Sequence, residues 1–320
     1  MKPRTLNLAL SGEPNLGSYI WGALDVLLAD SRIEIAGISA AGIGAVCAAV
    51  LAANVARGRL QARQALAEFW YDVTHGGWPV PVVPRSRLGE LDFDNVVSAY
   101  AAIAADPHEP LQALLQRLDF AALRDSRVPL FISATNVASG ALRIFKNHEL
   151  TPEVLLGTVA EPFSAPPVRI DQEVYWGGGF GGDPPLFPLV YESRSADILL
   201  VTRRRMQYPG LPAGSIETFE RIWSLSKRQA LNAELRAMET IRQLLVQGRL
   251  DAARYRPVRL HRVALDFEVE DTHIRQEQPE VALLLRGFGV SDVERWLAEH
   301  ASDVGRRSSL DIRASLYAER

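Results

Sequence analysis

The stretch RIEIAGISAAGIGAVCAAVLA, residues 32–52, decides the fold class of this chain. Residues 33–39 form a short apolar run that is typical of a buried strand, and residues 43–53 follow at once as an apolar run of helical length. A strand that passes directly into a helix is the repeating unit of α/β proteins. We therefore expect this segment to lie at the centre of an α/β fold.

The segments on either side continue this alternation. Residues 6–10 predict a strand that a Gly/Pro break ends, and residues 19–29 predict a helix with one broad apolar face. Strand, helix, strand and helix in this order predict a mainly parallel central sheet. The pattern then predicts helices at residues 61–71 and 110–118, strands at 128–136 and 197–202, and irregular Gly- and Pro-rich stretches at 76–87 and 173–188.

The pattern changes near residues 208–215, where proline and glycine mark a linker or long turn. Residues 216–248 predict one long helix, residues 258–264 predict a short strand, and two shorter helices complete the chain. We therefore predict an α/β domain at residues 1–210 and a mostly helical C-terminal extension at residues 211–320.

The composition is that of an ordinary globular protein, and it excludes several kinds of site. The 320 residues carry a formal net charge of −3, which gives no reason to expect a nucleic-acid partner. The single cysteine, Cys47, excludes an intrachain disulfide and a thiolate-rich metal site, and the six histidines show no metal-ligand spacing. We therefore expect no metal and no cofactor.

The hydropathy pattern predicts a cytoplasmic protein. The longest apolar run, residues 43–53, is about half the length needed to span a bilayer. The first residues lack the apolar core of a signal sequence. We expect no transmembrane segment, while the sequence leaves open peripheral contact with a membrane and the oligomeric state.

Six blocks of the sequence together suggest a known family. The blocks are LALSG (8–12), YIWGALDVLL (19–28), RIEIAGIS (32–39), GAVCAAVLA (44–52), FISATNV (131–137) and YWGGGFGGDPPLFPL (175–189). In this order they resemble the patatin-like family of phospholipases and other lipid acyl hydrolases over about the first 210 residues, and the remainder resembles the helical extension of one bacterial branch. The resemblance implies a three-layer α/β fold, with a mainly parallel sheet between helices, and a place in lipid metabolism.

The resemblance also implies where a catalytic site would lie, and there the sequence departs from the family. Family members have a G-G-G-x-R-G loop, a nucleophilic serine in G-x-S-x-G and an aspartate in D-G-G. In the ungapped register the serine position is Gly42 and the aspartate position is Gly177. The loop that would form the oxyanion hole is Gly12, Glu13, Pro14, Asn15, Leu16 and Gly17.

Each departure removes a chemical function. Glycine has neither a hydroxyl to attack an ester nor a carboxylate to accept its proton. Pro14 has no N–H to donate to an oxyanion, and Leu16 stands where the family has arginine. Gly42 suits the strained backbone of a nucleophile elbow, so restoring a serine there should cost roughly 1 kcal/mol.

These departures predict a patatin-like pseudoenzyme, and so no enzymatic activity. Such a protein would bind an acyl or lipid-like ligand, or a protein partner, without hydrolysis. The candidate ligand pocket is formed by Ile43, Ser39 and Asp183 beside the elbow. Ile43 follows the elbow directly, where the family has a small residue, and its branched side chain is expected to narrow the pocket while the acyl channel stays open.

Two alternatives remain open. In the first, the chain is an active lipid acyl hydrolase, esterase or acyltransferase whose nucleophile has moved to Ser39, within GISAA at residues 37–41, with Asp183 near the lost aspartate. In the second, the pocket is closed and the chain is an interaction module whose C-terminal helices bind a partner. Deliberate mutation of the two glycine positions would not explain the altered loop at residues 13–16.

Overall fold

The computed structural model describes residues 3–13, 16–76, 109–162, 165–203, 210–212, 214–266 and 278–316. The loop predicted at residues 76–87 lies outside these ranges from residue 77 onward. Pro14 and Asn15 of the predicted oxyanion loop also lie outside the described residues.

A central sheet of eight strands organises the described chain. The strands are β1 (Arg4–Leu10), β2 (Ile33–Ala40), β3 (Leu130–Asn136), β4 (Leu142–Lys146), β5 (Val168–Ile170), β6 (Glu173–Gly177), β7 (Asp197–Arg203) and β8 (Arg259–Leu265). Their order is β5-β6-β3-β2-β1-β7-β8, with β4 also paired to β3. The pairs β1–β2, β2–β3, β1–β7 and β7–β8 are parallel, whereas β4 and β6 pair with β3, and β5 with β6, in antiparallel fashion. The predicted mainly parallel sheet is confirmed.

Helices cover both faces of this sheet. They include each of the helices that the sequence pattern predicts, with boundaries that shift by a few residues. They are α1 (Gly17–Ala29), α2 (Gly42–Asn54), α3 (Arg59–His75), α4 (Glu109–Gln116), α5 (Phe120–Arg124), α6 (Pro152–Val159), α7 (Phe187–Glu192), α8 (Ser215–Val246), α9 (Pro279–His300) and α10 (Ile312–Leu316).

Alternate residues of the central strands face two separate apolar cores. On one face Leu8 and Leu10 of β1 belong to a large cluster with side chains of α1, α2, α3 and α9. On the other face Ala9 and Leu200 belong to a smaller cluster with side chains of α7, α8 and α10. Because neighbouring strand residues point to opposite faces, this alternation produces three layers, with the sheet in the middle. The expected three-layer α/β class is confirmed.

One strand lies within a stretch that the sequence predicts to be irregular. Residues 173–188 are rich in glycine and proline, but their first five residues form β6 and pair with β3. The glycine run begins only at Gly177, the last residue of β6, and Tyr175 is fully buried. The antiparallel partner therefore supplies the hydrogen bonds that local composition does not reveal.

The residues after 210 contribute to the same sheet and core. The strand predicted at residues 258–264 is β8, which pairs in parallel with β7. Val263 and Leu265 of β8 and Trp296 of α9 belong to the same apolar cluster as Leu8. The division of the chain at residue 210 stays a prediction about sequence organisation.

Helices α1 and α9 cross with their backbones in contact. A Cβ atom added to Gly22 would lie 2.1 Å from the backbone oxygen of Arg286, and one added to Gly289 would lie 2.1 Å from that of Tyr19. Only glycine at both positions permits this approach. The crossing holds the C-terminal helix directly against the first helix of the chain.

We expect Gly289→Ala to lower the free energy of unfolding by about 2–3 kcal/mol, because the added methyl forces two packed helices apart. Gly287→Ala is the matched control on the same helix, since Gly287 is exposed and an added Cβ meets no atom within 4 Å. That control should raise stability by about 0.5–1 kcal/mol through helix propensity. Urea denaturation measures the free energy of unfolding of both variants. Equal changes in the two variants would contradict the close backbone contact between α1 and α9.

Candidate functional site

The backbone at Gly42 has the geometry of a nucleophile elbow. Strand β2 ends at Ala40, Ala41 is extended, and helix α2 begins at Gly42, whose φ is +47°. In α/β hydrolytic enzymes the nucleophile occupies such a sharp, strained turn between strand and helix. Glycine adopts positive φ without a Cβ clash, so the sequence forms this turn readily.

The space that a side chain at the elbow would need is occupied by backbone. A Cβ atom on Gly42 would lie 2.4 Å from the carbonyl oxygen of Gly12 and 2.8 Å from its Cα. In the opposite direction, a Cβ atom on Gly12 would lie 2.7 Å from the carbonyl carbon of Ala41. A Cβ atom on Gly44 would lie 2.6 Å from the carbonyl oxygen of Ser11. The segment that follows β1 therefore packs directly on the elbow.

The described amides of the loop that follows β1 bond within the protein. Gly12 donates its N–H to the carboxylate of Asp183. Glu13 donates to the Ser11 hydroxyl over 3.4 Å, and Leu16 donates to the Glu13 carbonyl over 2.9 Å. An oxyanion hole needs preorganised N–H groups that converge on one point. These amides instead have three different internal acceptors.

Gly17, the last position of the predicted loop, begins α1 under an aromatic ring. A Cβ atom there would lie 2.2 Å from the ring of Trp70 and 2.7 Å from Cγ1 of Ile43. Ile43 itself is only 3% exposed. The residue after the elbow is therefore packed into the core beside Trp70.

Gly42 and Gly177, the two positions at which the sequence predicts a lost catalytic dyad, both contact Thr158. Gly42 donates its N–H to the Thr158 hydroxyl over 2.9 Å, and that hydroxyl donates to the Ser133 carbonyl over 2.7 Å. Gly177 ends β6, and a Cβ atom there would lie 2.9 Å from the Thr158 carbonyl oxygen and 3.1 Å from a Glu161 carboxylate oxygen. Gly42 and Gly177 therefore contact the same residue. An aspartate at position 177 would face a carbonyl oxygen and another carboxylate.

Ser39 lies inside the sheet. It belongs to β2, is fully buried and pairs with Ala9 on one side and Phe131 on the other. Its hydroxyl donates to the carbonyl oxygen of Pro185 over 2.5 Å. In this arrangement the hydroxyl proton points at a carbonyl oxygen, which is not a base that could accept it.

Asp183 lines a cavity that contains neither Ser39 nor Ile43. The cavity has a volume of about 100 Å³ and lies between the sheet, α8 and α10, next to the carboxyl ends of β1 and β7. Ligands of α/β proteins commonly bind outside the carboxyl ends of parallel strands. Its lining combines leucines with charged and polar groups: Ser11, Glu13, Asp183, Leu200, Thr202, Arg203, Lys227, Arg228, Leu231, Asn232, Leu235, Arg262, Leu310, Ser315 and Leu316.

Sequence reasoning missed most of this lining. Lys227 and Arg228 belong to a helix whose pattern indicates only amphipathicity, and Arg203 belongs to a short basic run that is typical of a solvated face. The available signal for a ligand site was the position of Arg203 at the carboxyl end of β7, a parallel strand. Nothing local indicates that α8 returns to cover that strand end.

The carboxyl group of Asp183 is held close to other acids. The pKa of Asp183 is raised to about 6, mainly by burial and also by the nearby Glu13 and Glu161 carboxylates, against the lowering effects of the Gly12 N–H and Lys227. A raised pKa means that the folded protein prefers the protonated acid. The stabilising contribution of protonated Asp183 is therefore complete below about pH 4 and is lost as the pH rises through about 6.

We expect Asp183→Asn to raise the free energy of unfolding by about 2 kcal/mol at pH 7.5 and by much less at pH 4.5, because asparagine resembles the protonated acid. Its side-chain oxygen can still accept the Gly12 N–H. Urea denaturation at the two pH values measures the difference. Glu294→Gln, which changes an exposed carboxylate on α9, should alter stability by less than about 0.5 kcal/mol at both. A stabilisation by Asp183→Asn that grew toward low pH would contradict the raised pKa.

Among the helices of the described ranges, none combines the length and the apolar character needed to cross a bilayer. No protein-family model matches the sequence. The search of curated proteins likewise found no match.

Among solved structures, the chain is similar to VipD from Legionella pneumophila, with a TM-score of 0.46 and 13% sequence identity. The superposition covers 93% of this chain and 67% of VipD. A likeness at this level carries no weight for function.

Proposed function

We propose that this chain is a non-catalytic relative of the patatin-like acyl hydrolases, which binds an acyl or lipid-like ligand or a protein partner without hydrolysing it. The observation that carries the proposal is the turn at Gly42, which has the backbone of a nucleophile elbow while Gly12 fills the side-chain space. A chain descended from a hydrolase would retain such an elbow backbone. The position of Gly12, however, is incompatible with a serine at residue 42 in the same conformation.

The hydrogen bonds around the elbow support the same proposal. The Gly12 N–H, which would have to be free to bind an oxyanion, donates to Asp183. The Gly42 N–H at the start of α2 donates to Thr158. Loss of the nucleophile alone lowers the turnover rate of a serine hydrolase by a factor on the order of 10⁶. N–H donors that are already bonded within the protein also cannot supply the remaining oxyanion stabilisation.

The test is hydrolysis of p-nitrophenyl esters of graded acyl length and of phospholipid vesicles by the purified full chain. We expect no hydrolysis above the rate in buffer without protein. Turnover that disappears in Ser39→Ala would support the alternative of a relocated nucleophile and would overturn the proposal. Thr158→Ser is a suitable control variant, because it keeps the hydroxyl beside Gly42 and should leave the result unchanged.

A further inference from the structure

The residues that line the cavity beside Asp183 do not include Gly42 or Ile43 of the elbow. Helix α2, which follows the elbow, packs in the apolar cluster on one face of the sheet. The cavity instead contacts Leu200 and Leu235, which belong to the cluster on the opposite face. A molecule bound in the cavity would therefore lie beneath α8, on the side of Ser11 and Glu13 whose neighbour Gly12 packs against Gly42.

Four cationic side chains line the cavity, and three of them bond to other described residues. Arg203 pairs with Glu13 over 3.3 Å, and Lys227 pairs with Glu161. Arg262 donates a hydrogen bond to the Ser315 hydroxyl over 2.9 Å. Arg228, by contrast, is half-buried in the cavity lining, and no described residue bonds to it. An arginine fork that lacks a carboxylate partner at a partly buried site is suited to bind an anion from outside the chain.

The rest of the lining is suited to a small apolar group. Leu231, Leu310 and Leu316 pack only partly buried against the cluster that contains Leu200. A cavity needs about 10–15 Å³ to hold one water. The volume of about 100 Å³ therefore accommodates roughly seven water-sized groups. That is the size of a carboxylate with a tail of about four carbons.

We propose that this cavity binds a small carboxylate with a short apolar tail, whose carboxylate pairs with Arg228 while its tail lies against the leucines. The inference deepens the proposed function and rests on it, since it gives the acyl-like ligand a chemical class and a site. The apolar side chains distinguish this ligand from inorganic phosphate. The size of the cavity distinguishes it from a long-chain fatty acid.

The experiment is isothermal titration calorimetry of the full chain with pentanoate. The comparison ligands are 1-pentanol, which lacks the charge, inorganic phosphate, which lacks the tail, and dodecanoate, whose tail is too long. The variant is Arg228→Leu, and Arg228→Lys is its conservative counterpart. Arg236→Leu is the matched control, because Arg236 is exposed on the same helix outside the cavity.

We expect pentanoate to bind the wild type and Arg236→Leu equally, to bind Arg228→Leu at least 10-fold more weakly, and to bind Arg228→Lys with intermediate affinity. The inference is overturned by no binding of pentanoate to the wild type, by equal binding to Arg228→Leu, or by phosphate or dodecanoate binding more tightly than pentanoate. Circular dichroism of each variant confirms that it is folded. Ester hydrolysis by the wild type would contradict the proposed function but not this site, because neither Gly42 nor Ser39 is among the residues that line the cavity.

Discussion

We expect Gly42→Ser to lower the free energy of unfolding by about 3 kcal/mol or more. This is the first of the two largest effects that we expect. Two costs add at this position. The positive φ of +47° costs an L-residue roughly 1–2 kcal/mol, and a Cβ atom 2.4 Å from the Gly12 carbonyl oxygen costs about 1–3 kcal/mol more as the packed backbone moves. Chemical denaturation of both proteins measures the sum.

Gly140→Ser separates the two costs. Gly140 has a φ of +70°, but a Cβ atom there meets nothing within 4 Å. We expect this variant to lose only about 1 kcal/mol. If both variants lost the same amount, the closure of the elbow by Gly12 would be contradicted.

Asp197→Ala should cost about 3 kcal/mol or more, because Asp197 joins three parts of the chain. Asp197 is 2% exposed at the start of β7. It accepts hydrogen bonds from Arg259 at 2.8 and 2.9 Å and from the Gly305 N–H at 2.9 Å, and Nε2 of His261 lies 3.2 Å away. Its removal leaves a partly buried arginine without its carboxylate. Glu192→Ala, which breaks an exposed pair with Lys146, is the control and should cost at most about 1 kcal/mol.

The same carboxylate gives the wild type a distinctive acid dependence. Burial alone would raise the pKa of Asp197, but the hydrogen bonds from His261 and Arg259 outweigh it and lower the pKa to about 2. A lowered pKa stabilises the fold above the unfolded value near 4, and this contribution is lost as the pH falls from about 4 through about 2. The stability difference between the wild type and Asp197→Ala should therefore shrink across that range. A difference that stayed constant would show that Asp197 acts through packing and not through its charge.

Local periodicity predicted most of the fold. Residues 33–39 and 43–53 form β2 and α2 almost as the apolar pattern indicates, because most residues of both segments are buried. β6 was missed, since its pairing with β3 is non-local and its neighbours are glycines. The place of β8 beside β7 was equally invisible, because more than 50 residues separate the two strands.

The sequence identified the elbow position but not its closure. The positive φ at Gly42 follows from the elbow register and from what glycine permits. The contact between Gly42 and Gly12 joins residues that are 30 positions apart, so no local pattern reveals it. The expected cost of Gly42→Ser consequently rises from roughly 1 kcal/mol for strain alone to about 3 kcal/mol.

The most direct test of a non-catalytic elbow is labelling of the intact chain with a fluorophosphonate, read by whole-protein mass spectrometry. Activated serine nucleophiles form a covalent adduct with this reagent, whereas a serine that donates to a carbonyl, as Ser39 does to Pro185, should not. We expect whole-protein mass spectrometry to show only the mass of the unlabelled chain after prolonged incubation. One adduct per chain, mapped by peptide sequencing to Ser39 or any other serine, would contradict it.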